Sequence, residues 1–403
     1  MKTASLQFKN AIKNNMREID TRIIFYNGND KYVIRGNDVQ SNKYNTSVEK
    51  ELGGIEKKIL NLTLIKNTIS DKIIKGTVLY RETWVKYNDN WYSDFQEKFI
   101  VVSRKGIDSK NVIKIEAVDE LTIIRSTPLP YLAQTMNIDL ISYFNTLLSI
   151  MTNEHVLDAN LANPMLSLAF PKSTNTHETL LEMCVASQGI LKSDFTVKKF
   201  VAADPVDRLN YGQGLLKYEF VDSDLNTYKD VIISLFSPTK KTFKSLGSIM
   251  TTIPPSAVDY KLGNIEFDKL YIPQLITFNQ EVEIANYTIG SKTCSLTITS
   301  RLNELMELET EFLGLDVNSV SAMSENTENK TKFVNNIYIQ SPTVYDTFIY
   351  TAKGINIKYT GNTLYEVGDT ILVDDKYKVF IVDHNLDYSG GLKGTIKGVL
   401  IDG

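Results

Sequence analysis

The side chains best suited to chemistry are three histidines and a run of glutamates. His155, His177 and His384 stand too far apart for the i, i+4 pairing that sets two imidazoles on one helix face around a zinc ion. Glu304, Glu307, Glu309 and Glu311 are dense enough to offer oxygens to a hard cation, or the carboxylate pair of a glycoside hydrolase. The stretch from Glu304 to Phe312 reads as a short helix on which Glu304, Glu307 and Glu311 share a face, and such a face is ordinarily solvated. Asp374-Asp375 reads as a hairpin turn in which aspartate serves the backbone, calcium binding being the other option. Gly212-x-Gly214 lacks the third glycine and the preceding strand of a dinucleotide loop and reads as a turn.

No His-Glu-x-x-His helix, P-loop or Gly-x-Ser-x-Gly elbow occurs. Cys184 and Cys294, the only cysteines, read as small buried apolar groups, which excludes a disulfide framework or a cysteine-ligated zinc. No catalytic, cofactor-binding or metal-binding residue is therefore assigned, and no cofactor is expected. His384, between Asp383 and Asn385, alternates out of phase with Ile381 and is expected to face away from the core.

The elements that carry these residues are mostly strands. Twenty-one tyrosines and 17 phenylalanines against two tryptophans favour pleated surfaces. A helix is expected over residues 5 to 19, with Phe8, Ala11, Ile12 and Met16 on one face. Strands follow at Arg22 to Tyr26 and Lys31 to Ile34, around the turn Asn27-Gly28-Asn29-Asp30. More follow at Ile59 to Ile65, Lys75 to Lys86, Lys98 to Ser103 and Val112 to Val118. Pro128-Leu129-Pro130 closes this block. Two helices come next, one with Ile141, Phe144, Leu147 and Leu148 on its apolar face. The other has Asn175 as N-cap, Glu178 in the capping-box position, Leu181, Cys184 and Val185 on one face, and Gly189 as terminator. Strands resume at Gln274 to Phe278, Val282 to Tyr287 and Cys294 to Thr299, and residues 318 to 332 are polar enough to be a linker. In the last segment, Thr370 to Val373, Val379 to Val382 and Leu392 to Leu400 are strands, with Gly394 and Gly398 marking a bulge or a close backbone approach.

The fold class expected is β-rich α+β. The domain order expected is 1–127 (helix and barrel), 128–252 (inserted α+β), 253–317 (second β-rich domain), 318–332 (linker) and 333–403 (closing strands). A net charge of −4 gives no footprint for nucleic acid, and Lys240, Lys241 and Lys244 read as a solvated loop or helix face. No stretch approaches the ~20 apolar residues of a membrane span, and the N-terminus lacks a secretory core, so no membrane anchor is expected.

The segment Gly368-Asp369, strand, turn, strand, then Tyr388, Gly390, Gly391 and Leu392 before a last strand resembles the end of phage tail hub proteins. Leu52-Gly53-Gly54-Ile55 with Ile59 to Leu64, Gly76 to Tyr80, and Ile113 to Asp119 resemble the first barrel of that family. The resemblance implies tail-tube-like β-barrels, two per chain, in a homotrimer that presents six similar domains to a hexameric tube and three chains to a spike or fibre. It implies a tail tube or distal tail protein, and a spike, fibre or tape-measure protein, as partners. The place would be the virion tail or an injection particle, assembled in the host bacterial cytoplasm. Larger members carry a lytic domain beyond the hub, and the sequence stopping after its final strand reads as a non-enzymatic hub. The alternatives are a tail-associated peptidoglycan hydrolase built on Glu304 to Glu311, and a surface or carbohydrate-binding module with an exposed aromatic groove.

Overall fold

The computed structural model describes residues 4–14, 17–48, 54–93, 96–130, 132, 135–169, 171, 175–199, 204–221, 230–235, 244–253, 260–266, 272–279, 283–289, 293–299, 306–315, 320–321, 331–336, 338–339, 354–389 and 391–401. The chain forms two compact units, each from separated segments. The first comprises 1–123, 190–229 and 346–403, the second 124–189 and 230–345. In both units long-range strand pairing groups residues that sequence order separates.

In the first unit a helix at Leu6–Lys13 is capped by Ser5, whose hydroxyl accepts from the Phe8 N–H. It buries Phe8, Ala11 and Ile12 in a core shared with Phe25, Leu60, Phe99 and Ile115. The hairpin Ile19–Asn27 and Asp30–Ile34 turns at Gly28, where φ is +61°. From Ile19–Asn27 the antiparallel ladder continues through Val78–Tyr87, Glu97–Ile107, Val112–Val118, Gly54–Ile65 and Val39–Val48. It does not close. The free edge of Val39–Val48 is taken by Asp383–Asp387, so Lys43 to Ser47 pair with the terminal segment. Among the described residues the closed barrels expected from sequence are not formed. The sheet instead runs on through Tyr377–Asp387, Lys393–Leu400, Gly354–Tyr359 and Leu215–Val221.

The strand Tyr377–Asp387 is the hinge of this arrangement. Thr370–Val373 pairs with its first part and Val39–Val48 with its second, while Lys393–Leu400 follows its other edge throughout. A register shift between Ile381 and Asp383 leaves Val382 as a bulge residue where the partner changes. The bulge resets the alternation and puts His384 on the same face as buried Ile381 and Leu386, and His384 is fully buried. The expected outward orientation of His384 is thereby corrected. Gly394 and Gly398 are close-approach positions, as their spacing suggested. A Cβ at Gly394 would collide with the Tyr359 ring, and one at Gly398 with Val379 and, at 2.8 Å, the Phe380 carbonyl.

In the second unit, helices Leu140–Met151 and Thr176–Ser187 accompany the ribbon Thr135–Asp139 with Met165–Ala169. Asn175 caps the second helix, accepting from the His177 and Glu178 N–H groups. It ends on Gln188 in the left-handed conformation, and Gly189, the expected terminator, begins a short strand. Among the described residues, three three-stranded sheets complete the unit. The ends of the expected 318–332 linker pair in one of them: Val320–Ser321 and Thr331–Asn335 flank Asp230–Leu235.

Candidate functional site

The helix expected over Glu304 to Phe312 is a strand, Met306–Leu315, paired with Lys244–Ile253 and Ile272–Phe278. Glu307, Leu308, Glu309, Thr310 and Glu311 alternate with a period of two, and that alternation decides the matter: Leu308 and Thr310 are buried, Glu307 and Glu309 exposed. The carboxylates therefore stand about 7 Å apart along one strand face, at two residues' rise, and do not share a helix face. Glu304, Lys240 and Lys241 lie outside the described residues, and Lys244 opens a strand. His155 bonds Asn145 Oδ1 through Nε2 at 2.8 Å, and Cys184 is buried in its helix. Asp374 and Asp375 both take positive φ in the hairpin turn, where Tyr218 Oη donates to Asp374 and Arg208 pairs with Asp375 at 3.2 Å. Gly212 and Gly214 form a turn. Among the described residues no three His, Cys, Asp or Glu side chains gather as a metal set.

The residues that do converge are ones sequence reasoning passed over. The strand Gly189–Leu191 lies parallel to the start of Gly54–Ile65, with Ile190 opposite Gly54 and Leu191 opposite Ile55, and this register delivers Lys192 beside Glu56. Lys192 Nζ lies 2.8 Å from Glu56 Oε1 and donates to the Val367 carbonyl at 2.8 Å, while the Ser193 N–H donates to Glu56 Oε2 at 2.8 Å. Lys58 Nζ sits 3.7 Å from Glu56 and 3.5 Å from Glu97. Glu97 accepts from Tyr44 Oη at 2.9 Å and pairs with Arg81 at 2.7 Å. Arg81 continues to Thr83 Oγ1 at 3.1 Å and to Tyr388 Oη, and its guanidinium lies over the Tyr44 and Tyr388 rings.

Three acids and three bases thus alternate, Glu366, Lys192, Glu56, Lys58, Glu97 and Arg81, through the interior. Burial alone would push the Glu56 carboxyl up, but Lys192 and Lys58, with the Ser193 N–H, hold it down at about 2. Burial works against the charge on Lys58 and Lys192 as well, yet Glu56 and the neighbouring acids raise both ammonium groups. Burial and Glu97 raise the Tyr44 phenol. Every carboxylate oxygen of Glu56 and Glu97 is engaged. What it can do is clamp, because it ties all three segments of the first unit together through charge-assisted bonds.

A second polar group surrounds His384. Tyr359 Oη lies 2.6 Å from His384 Nε2 and accepts from the Asn362 N–H at 3.1 Å. The Tyr359, Tyr365 and His384 rings lie 5.7 to 6.3 Å apart. His384 is a packed core histidine whose ring positions the Gly354–Tyr359 and Tyr377–Asp387 strands.

No protein-family model and no curated protein matches the sequence. Solved structures do match. The tail protein from Neisseria meningitidis MC58 aligns over 94% of this chain and 96% of its own, with 10% identity and a TM-score of 0.52. The chain has the fold of a tail protein. The 43 kDa tail protein of prophage MuSo2 from Shewanella oneidensis aligns over 94% of this chain and 98% of its own, at 11% identity and a TM-score of 0.49. Prophage tail protein gp18 from Listeria monocytogenes EGD-e covers 94% of each chain, at 9% identity and a TM-score of 0.45. In this tail-protein fold the strand carrying Val382 and His384 and the strand carrying Lys43 to Ser47 share one sheet.

Proposed function

We propose that this chain is a structural hub subunit at the tip of a phage tail or a related injection particle. In this reading it acts as a homotrimer that joins a six-fold tail tube to a three-fold spike or fibre. The observation that carries the reading is the tail-protein fold, matched over 94% of the chain. Two features of the first unit support it. The charge cluster locks three chain segments into one body, which suits a part that transmits load. Large apolar side chains also stand exposed on its strands, Tyr26 at 52%, Leu216 at 58% and Phe220 at 49%, as expected of surfaces that assembly covers.

The partners on this reading are a tail tube or distal tail protein on one side and a spike, fibre or tape-measure protein on the other. Sedimentation of the purified chain over a concentration series tests the oligomer. A species of three times the 45.6 kDa chain mass, growing with concentration, is expected. A monomer at every concentration would overturn the trimer.

A further inference from the structure

The first unit contains a cavity of about 760 Å³ whose wall carries a cation without a counter-ion. Arg17 donates from Nη2 to the Thr360 carbonyl and, at 2.7 Å, to the Gly361 carbonyl. Among the described residues no carboxylate pairs with this guanidinium, and its Nε–H and Nη1–H groups have no partner. Burial strips water from the charge and lowers the Arg17 pKa to about 10.

Asp207, the carboxylate on the same wall, is already used. It takes Lys13 Nζ at 2.6 Å, Tyr365 Oη at 3.0 Å and the Arg208 N–H at 2.9 Å. Lys13 and Asp207 balance each other, and Arg208, also on the wall, pairs with Asp375, which does not line the cavity. The wall is left with the positive charge of Arg17. A half-buried charge with no opposite charge is unfavourable, and a guanidinium is the side chain best matched to a carboxylate or phosphate. The remaining wall tells these two anions apart. Ile12, Val206, Leu209 and Leu372 line the cavity beside Arg17 and can cover a hydrocarbon stem, which inorganic phosphate lacks.

We infer that this cavity binds a carboxylate borne on an apolar stem, with Arg17 as its counter-ion. The ligand is either a small free acid or the C-terminal carboxylate of a polypeptide. The site is independent of the hub reading, since its lining residues belong to a single chain.

The test uses the full chain, ¹⁵N-labelled, and follows the Arg17 Nε–H resonance at constant ionic strength. The probes are hexanoate, a short peptide ending in leucine with a free carboxylate, the same peptide amidated, and inorganic phosphate. Hexanoate or the free-acid peptide is expected to shift the resonance saturably, with the amidated peptide and phosphate at least tenfold weaker. Saturation by hexanoate identifies a small-acid site, and saturation by the peptide acid alone a chain terminus; either supports the site. Calorimetry on Arg17→Gln should show binding lost, and on Arg17→Lys at least a tenfold weakening. Should Arg17→Gln fail to fold, the native titration and Arg17→Lys still decide. No saturable shift with either acid, undiminished binding in Arg17→Lys, or phosphate binding as tightly as hexanoate would overturn the inference.

Discussion

Lys192 and Glu56 meet at 2.8 Å inside the first unit, both side chains at most 4% exposed, although 136 residues separate them in sequence. The intervening chain includes the 124–189 segment of the second unit, so this contact marks the point where the chain re-enters the first. A buried pair is weak evidence for net stability, but breaking one leaves an uncompensated charge.

Lys192→Met is therefore expected to destabilise the first unit by about 3–5 kcal/mol. Glu56→Gln should cost a similar amount by stranding Lys192. The double variant should cost less than the sum of the two, because neither charge is then left unpaired. Urea denaturation of the three proteins checks this, and additive losses would contradict the coupling.

Acid should act through the same carboxyl. Glu56 is held at about 2 in the folded chain, below its usual 4.5, so the unfolded chain binds more protons across that interval. Its contribution is complete above pH 4.5 and is lost as pH falls toward about 2. Asp119 works in the opposite direction, since burial raises its pKa and acid favours its folded form. Glu56→Gln should flatten the native fall in stability between pH 4.5 and 2, as read from denaturation midpoints. An unchanged slope would show that other carboxyls govern it.

Gly394 leaves room for the Tyr359 ring whose hydroxyl reaches His384, and Gly398 leaves room for Val379. Alanine at either position should cost at least about 1–3 kcal/mol through overpacking. At Gly106, where a Cβ would meet nothing within 4 Å, the cost should be well below 1 kcal/mol. Thermal melts of the three variants make the comparison.

Tyr359→Phe removes the bond to His384 Nε2 and the acceptor of the Asn362 N–H. A loss of about 1–3 kcal/mol is expected, because buried polar atoms are left unpaired. Sedimentation should be unaltered, since the residue is buried within one unit.

Local signals made the N-terminal strands legible: the turn at Gly28 and the alternation of Val112 to Val118 need no distant partner to be read. The Asn175 cap was legible for the same reason. Val39–Val48 was missed because its residues are largely polar, and only pairing on both edges makes it a central strand. The run around Glu307 reads as a helix on its glutamate content, but the two-residue period of Leu308 and Thr310 makes it a strand. His384 was placed on the wrong face because a bulge at Val382 is set by a change of strand partner, which local sequence does not record. The charge cluster was invisible for a related reason. Glu56, Arg81, Glu97 and Lys192 are each ordinary surface residues in their own neighbourhood, and only long-range pairing buries them together.

The most direct test of the hub reading is electron microscopy of the assembled particle with this chain tagged. One ring of three copies at the distal end of the tail tube is predicted. Absence of the tag from the particle, or its presence as a six-copy ring repeated along the tube, would contradict it.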